Sequence, residues 1–161
     1  MRGLTARIAM AMLGLALVVS TAAAQRRVRG GRAVRVERPG IGPRLGYDFD
    51  VDHAVLGGQF NFPVGRRWAL VPSADFYLGV NGTPYRINAD LKFHPPTVYG
   101  FFYFGGGLAL LHASGNTDTG ANVFAGLEGR RYLPVKPFLE ARFVFSNATS
   151  FNILGGINFP I

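Results

Sequence analysis

Residues 85–94, "YRINADLKFH", alternate between apolar and polar side chains, and this alternation restricts the possible folds more than any other feature of the chain. Tyr85, Ile87 and Leu91 belong to the apolar row, while Arg86 and Asp90 belong to the polar row. Successive side chains of a β-strand point to opposite faces, so a period of two residues predicts a strand with two unlike faces. The pattern leaves open which of the two faces is turned toward water.

The same period recurs in seven other segments, and no convincing helical pattern lies between them. The predicted strands are residues 44–49, 54–62, 68–78, 85–94, 99–111, 121–130, 135–145 and 151–161. Short connections rich in Gly, Asn, Asp and Pro join them, among them "PVGRR", "GVNGTP" and "ASGNTDTG". Such connections favour hairpins between consecutive strands. The sequence therefore predicts an all-β fold, an antiparallel eight-stranded up-and-down barrel.

The uncharged segment "VYGFFYFGGGLALL", residues 98–111, needs separate consideration because it could be mistaken for a membrane helix. It is shorter than the ~20 residues that a helix needs to cross the hydrocarbon layer. Its aromatic residues and its glycines, Gly105 to Gly107, suit a strand better than a helix. We expect these glycines to make room for bulky neighbours inside a narrow barrel.

The first 24 residues have the three parts of a secretory signal peptide. A charged start with Arg2 and Arg7 precedes a short apolar run, and Ala22 and Ala24 occupy the small-residue positions of a cleavage site. A membrane-anchoring helix is the alternative, but the apolar run is short for that role. The predicted organisation is a signal peptide at 1–24, an Arg-rich flexible segment at 25–40 and a barrel at 41–161.

Of the net charge of +8, the first 39 residues contribute +7 and the predicted barrel only +1. Six arginines lie in residues 25–39, whereas from residue 40 onward nine Lys and Arg stand against eight Asp and Glu. This distribution argues against a nucleic-acid-binding domain. The Arg-rich segment is predicted to be a solvated linker, with contact to anionic lipid headgroups or cell-wall polymer as the alternative.

Two kinds of barrel fit the alternation. A soluble lipocalin-like barrel would turn its apolar rows inward around an apolar ligand, whereas a transmembrane barrel turns them toward lipid and its polar rows into the lumen. Aromatic residues near the strand ends and sparse charges of both signs favour the transmembrane barrel. The predicted aromatic girdles contain Tyr47, Trp68, Tyr85, Phe93, Tyr99, Phe145 and Phe159. The predicted lumen charge network contains Asp48, Asp75, Arg86, Asp90, Lys92, Glu128, Arg130, Glu140 and Arg142.

The alternating segments, above all "YRINADLKF", "PFLEARFVF" and the ending "FNILGGINFPI", resemble the small outer-membrane β-barrel proteins of Gram-negative bacteria, of the OmpA or OmpX barrel-domain kind. The resemblance implies an outer-membrane location, a periplasmic position for residues 25–40, and contacts with outer-membrane lipids and lipopolysaccharide. It also implies insertion by the barrel assembly machinery. We expect a monomer with a structural or surface-interaction role and no nucleic-acid partner. An eight-stranded barrel is just wide enough for side chains to fill it, so we expect no open pore.

One short motif offers a catalytic alternative to this non-enzymatic interpretation. "LHASGN" places His112 and Ser114 two residues apart, and Glu128 follows in the next predicted strand. These residues are similar to the His, Ser and Glu of the outer-membrane lipid A 3-O-deacylases, in which His is the base to a Ser nucleophile. The two other histidines, His53 and His94, are isolated at strand ends and are predicted to have turn or interface roles. Because the chain has no cysteine and no clustered ligands, no metal site and no cofactor are predicted.

Overall fold

Eight β-strands contain most of the residues that the computed structural model describes, which are 38–80, 82–96, 101–129 and 133–161. The strands are β1 (Gly40–Asp48), β2 (His53–Pro63), β3 (Trp68–Tyr77), β4 (Tyr85–Phe93), β5 (Phe102–Ala113), β6 (Asn116–Glu128), β7 (Lys136–Phe145) and β8 (Thr149–Pro160). The predicted signal peptide, residues 25–37 of the predicted tail, Tyr99 and Arg130 lie outside the described residues. In the part of the chain that is described, no helix is long and apolar enough to cross a membrane.

Each strand pairs antiparallel with the next, and β1 pairs with β8, so the sheet closes into a barrel. Closure gives every strand two neighbours and leaves no exposed edge. At the seam, Gly40 lies opposite Pro160 and Arg44 lies opposite Gly156. The prediction of an all-β, eight-stranded, antiparallel up-and-down barrel is therefore confirmed.

The largest differences from the predicted strand boundaries are at the start of β1 and at the β5–β6 connection. β1 begins at Gly40 and not at residue 44, because Gly40 and Ile41 already pair with β2 and β8. The predicted eight-residue connection "ASGNTDTG" is only a two-residue turn, Ser114 and Gly115. Both residues have positive φ angles, 51° and 80°, as the tight hairpin turns that match strand twist require.

The two faces of the barrel wall differ sharply in polarity. Charged residues of the strands, such as Arg44, Asp75 and Arg142, are at most 1% exposed and point inward. Large apolar residues such as Leu45 and Leu108, which are 66% and 64% exposed, point outward. This orientation contradicts the soluble lipocalin-like alternative, which requires apolar side chains inside and charged side chains outside.

Glycines on the inner face leave room for large side chains of neighbouring strands. A Cβ atom on Gly105 would lie 2.5 Å from Cζ of Phe124, and one on Gly126 would lie 2.6 Å from Cζ of Tyr103. These distances are far below an ordinary van der Waals contact. The glycines of β5 and β6 therefore allow aromatic rings to occupy the narrow interior, as the sequence predicted for the glycine triplet.

Candidate functional site in the barrel interior

Asp75 on β3 binds two arginines from different strands. Its Oδ2 lies 2.5 Å from Nη2 of Arg44 on β1 and 3.2 Å from Nη2 of Arg86 on β4. Nε of Arg44 also donates to Oδ1 of Asp75 at 2.6 Å, so the contact between Arg44 and Asp75 is bidentate. The planar guanidinium group and the carboxylate thus connect β1 to β3 directly across the inner face of β2.

Arg86 extends this group of charges to the other side of the lumen. Its Nη2 donates to Oδ1 of Asn152 on β8 at 3.1 Å. β4 and β8 stand on opposite sides of the barrel, since three strands separate them in either direction. Two side chains joined by one hydrogen bond therefore reach across the whole lumen, which shows how narrow the interior is.

Arg142 on β7 is the centre of a second charged group. Its Nη2 lies 2.8 Å from Oδ2 of Asp90 on β4 and 2.8 Å from Oε1 of Glu140 on its own strand. Nδ2 of Asn122 donates to Oδ1 of Asp90 at 2.8 Å, and the hydroxyl of Tyr103 donates to Oε2 of Glu140 at 3.0 Å. Both carboxylates are thus held by the arginine and by a neutral donor.

Glu128 on β6 is the centre of a third group, near the end of the barrel where the chain enters and leaves it. Its Oε2 lies 3.1 Å from Nζ of Lys92 and 3.1 Å from Nε2 of His94. Nδ2 of Asn158 donates to Oε1 at 2.9 Å. Gln59 Nε2 in turn donates to Oδ1 of Asn158 at 2.9 Å, which links this group to β2.

Apolar clusters fill much of the space that the charged groups leave. Val55, Tyr77 and Leu154 form one cluster, against which the partly buried residues Val80 and Leu111 pack. The hydroxyl of Tyr77 donates to Asp48 at 3.2 Å.

A second cluster consists of Tyr103, Phe124 and Phe138. Nζ of Lys92 lies 4.9 Å from the ring centre of Tyr103, and Cζ of Arg142 lies 4.7 Å from that of Phe124. Both distances permit cation–π attraction, so aromatic rings and cations pack together inside the barrel.

The structure brings together inside the barrel all the predicted network residues that it describes: Asp48, Asp75, Arg86, Asp90, Lys92, Glu128, Glu140 and Arg142. Arg130 lies outside the described residues. The predicted network omitted Arg44, although it shares the inward parity of Asp48. His94 follows the end of β4 as predicted, but it is not isolated, because it is 7% exposed and contacts Glu128. Its parity with Lys92 could have identified it as an inward residue.

The residues of the predicted catalytic alternative are not assembled into a site. His112 is near the Ser114–Gly115 turn, where its Nδ1 lies 2.9 Å from Oγ1 of Thr117 and its ring stacks on Tyr85. Glu128 is at the far end of β6, on the inner face, and holds Lys92 and His94. Because β6 separates Glu128 from the turn by its whole length, the carboxylate cannot orient His112. The structure therefore does not assemble the catalytic alternative, His112, Ser114 and Glu128, into a triad.

No three His, Cys, Asp or Glu side chains within the described ranges are grouped as a metal site.

Aromatic side chains form two bands on the outer face. Near the end that contains Gly40 and Pro160, the ring centres of Trp68 and Phe93 are 4.6 Å apart, and those of Phe93 and Phe104 are 5.3 Å apart. Phe159 lies at this end on β8, as its pairing with Ile41 shows.

At the opposite end, Phe49 lies 5.2 Å from Tyr47 and 5.7 Å from Phe151, measured between ring centres. Tyr85 and Phe145 also lie at this end, at the start of β4 and the end of β7. The predicted girdle residues that are described therefore divide between the two rims of the barrel, and Tyr99 falls outside the described residues.

The fold and the two faces define a class: closed eight-stranded up-and-down barrels with an apolar outer face and a polar, packed interior. Within this class, the structure is similar to the N-terminal β-barrel domain of Pseudomonas aeruginosa OprF, with a TM-score of 0.64 and 16% identity, over 78% of this chain and 98% of that one. It is also similar to the de novo designed protein TMB2.3, with a TM-score of 0.56 and 11% identity, over 81% of this chain and 98% of the designed one. No protein-family model and no curated protein matches the sequence. The OmpA- or OmpX-like eight-stranded barrel predicted from the sequence is confirmed as a fold.

Proposed function

We propose that this protein is an integral outer-membrane β-barrel with a structural or surface-interaction role and a lumen closed by its own side chains. The observation that carries the proposal is the distribution of charge on the barrel wall. The outward positions of the eight strands contain no Asp, Glu, Lys or Arg, whereas the inward positions contain all the charged residues of the strands. Such an outer face would be an aggregation hazard in water, but it matches the acyl chains of a bilayer.

The aromatic bands support a membrane position of the barrel. Tyr and Trp rings favour the level of the lipid headgroups, because they combine an apolar body with a polar tip. Trp68 and Tyr85 lie near opposite ends of the strands, with apolar residues such as Leu91 between them. In the proposed location, outer-membrane lipids and lipopolysaccharide surround a monomeric barrel that the assembly machinery has inserted, and the predicted signal peptide directs its export. Nucleic acid has no part in this function.

The packing of the interior supports a closed lumen rather than a pore. Side chains from opposite walls are in direct contact, as Arg86 and Asn152 show. Tyr103, at 1% exposure, and Leu154, at 0%, are inaccessible from both ends of the barrel. A continuous water-filled path would expose these side chains, so we propose a structural barrel without steady conductance.

Membrane fractionation and heat-modifiable gel mobility test the proposal. We expect the protein in the outer-membrane fraction, and we expect the unboiled detergent extract to migrate differently from the boiled sample. Recovery from the soluble periplasmic fraction would contradict the membrane location.

Planar bilayer recordings test the closed lumen separately. We expect no large, stable conductance, and such a conductance in repeated insertions would contradict the closed state while leaving the membrane location intact. The proposal assigns no catalytic role to His112, Ser114 or Glu128, because the structure separates the carboxylate from the other two residues.

A further inference from the structure

The connections at the two ends of the barrel carry charges of opposite sign. At the end that contains Gly40 and Pro160, the connection at residues 64–67 contains Arg66 and Arg67, and the described residues of this and the other two connections, 94–96, 101, 129 and 133–135, include neither Asp nor Glu. At the other end, the connections at residues 49–52, 78–84, 114–115 and 146–148 contain Asp50 and Asp52 and neither Lys nor Arg. Since the outer wall between them is uncharged, the two ends are electrostatically distinct surfaces.

The turn between β2 and β3 presents two arginines at the cationic end. The N–H of Val64 donates to the carbonyl of Trp68 at 2.9 Å, and the N–H of His94 donates to the carbonyl of Arg67 at 2.8 Å. These bonds fix the backbone of the turn, while the side chains of Arg66 and Arg67 are exposed. No ion pair joins either arginine to another described residue, so both guanidinium groups are available to an outside partner.

Trp68 places these arginines at a definite level of the barrel. It follows Arg67 directly, it is 45% exposed on the outer wall, and its ring packs on Phe93. An indole at this position belongs to the boundary between acyl chains and headgroups. The residues one and two positions farther out then lie at the level of the lipid phosphates.

We propose that Arg66 and Arg67, which we call the arginine rim, bind the phosphate groups of anionic phospholipids in the adjacent leaflet. This inference rests on the proposed membrane location. The planar guanidinium group donates hydrogen bonds to two phosphate oxygens at once, and anionic leaflets attract basic residues close to the membrane. Asp50 and Asp52 at the opposite end repel the same lipids, so the two ends together favour one orientation of the barrel.

Trp68 is also the reporter for the test, because the chain contains one tryptophan. The protein is refolded into phosphatidylcholine vesicles that contain the same mole fraction of either brominated phosphatidylglycerol or brominated phosphatidylcholine. Bromine quenches indole fluorescence at short range, so quenching measures which lipid lies beside Trp68. We expect the brominated anionic lipid to be favoured about fivefold to tenfold, as basic residues at a membrane surface predict.

Two variants and one change of conditions make the test specific. Arg66→Gln with Arg67→Gln should reduce the preference severalfold, whereas Asp50→Asn with Asp52→Asn, at the opposite end, should leave it unchanged. Raising the salt concentration from about 0.05 M to about 0.5 M should weaken the preference in the unaltered protein, because salt screens exposed charges. The salt comparison uses only the unaltered protein, so it does not depend on the folding of a variant.

Four other outcomes would contradict the proposal in different ways. Equal quenching by the two brominated lipids would overturn the arginine rim as an anionic-lipid site, while showing that the barrel lies in the bilayer. An undiminished preference in the double arginine variant would also overturn it. Displacement of brominated phosphatidylglycerol by an equal fraction of lipid A would contradict the assignment to phospholipids. Absence of quenching by both lipids would overturn the membrane location and the rim together.

Discussion

Nζ of Lys92 on β4 lies 3.1 Å from Oε2 of Glu128 on β6, inside the barrel, where the side chains of both residues are at most 4% exposed. β5 lies between their strands, so the contact crosses the inner face of a third strand. Glu128 also accepts a hydrogen bond from Asn158 on β8. One carboxylate thus connects three strands that do not pair with one another. The ion pair adds little net stability, since desolvation offsets much of the Coulomb attraction, but the loss of one partner leaves the other charge buried and unpaired.

Replacing Glu128 by Leu should destabilise the barrel by about 3–5 kcal/mol, because the ammonium group of Lys92 then remains buried without its partner. The double variant Glu128→Leu with Lys92→Met should regain most of that loss, since it removes both charges and keeps the volume similar. Urea unfolding in lipid vesicles, followed by Trp68 fluorescence, measures both values. A double variant as unstable as Glu128→Leu alone would show that the contact with Lys92 is not the reason for the loss.

Two glycines in strands give a matched test of interior crowding. Gly105→Ala should cost about 1–3 kcal/mol, because the added methyl group meets the carbonyl oxygen of Leu91 and the ring of Phe124 in a packed interior. Gly58→Ala should be neutral or slightly stabilising, because its nearest atom, a carbonyl oxygen of Gly42, is 3.7 Å from the new Cβ and the strand loses less entropy on folding. Free energies of unfolding of the two variants in the same vesicles check the difference, and equal values would contradict the crowding of the interior.

The sequence was sufficient for the fold because each strand has one apolar and one polar row. In β4 and β7, Arg86, Asp90 and Glu140 are separated by apolar residues, so parity alone assigns them to one face. The direction of that face followed from the balance of charge signs and from the aromatic residues at strand ends. The alternation within one strand cannot show whether its polar face points inward or outward, since the strands of a lipocalin-like barrel alternate in the same way.

The sequence was not sufficient for the contacts across the lumen. Partners such as Arg86 and Asn152 lie on opposite walls, and their meeting depends on the register of all the strands between them. The same limit explains why the residues of the catalytic alternative are not together, because His112 and Glu128 are close in sequence while the length of β6 separates them in space. The β5–β6 turn was predicted too long because Asn116, Thr117 and Asp118 are polar on both faces and give no alternation.

The Ser114–Gly115 turn offers a prediction about stability. Ser114 has a φ of 51°, a region that Asn tolerates better than Ser, and Asn-Gly is the preferred pair in tight hairpins. Ser114→Asn should therefore stabilise the barrel by about 0.5 kcal/mol. Unfolding curves in vesicles measure the change, with Ser146→Asn in the β7–β8 connection as a control without positive φ. A clear loss of stability in Ser114→Asn would mean that the hydroxyl of Ser114 has a contact that the turn geometry does not explain.

Substitution of an outward residue by arginine tests directly whether the outer wall contacts lipid or water. Leu45, 66% exposed on β1, is near the middle of the apolar belt, whereas Thr117 on β6 is beside the β5–β6 turn. In a bilayer, Leu45→Arg should cost about 2–4 kcal/mol and Thr117→Arg about 0–1 kcal/mol, because the penalty falls from the midplane to the interface. Equilibrium unfolding of both variants in vesicles gives the two values. If the outer wall contacted water, Leu45→Arg would instead be harmless or favourable, and equal costs at the two positions would contradict a membrane-spanning barrel.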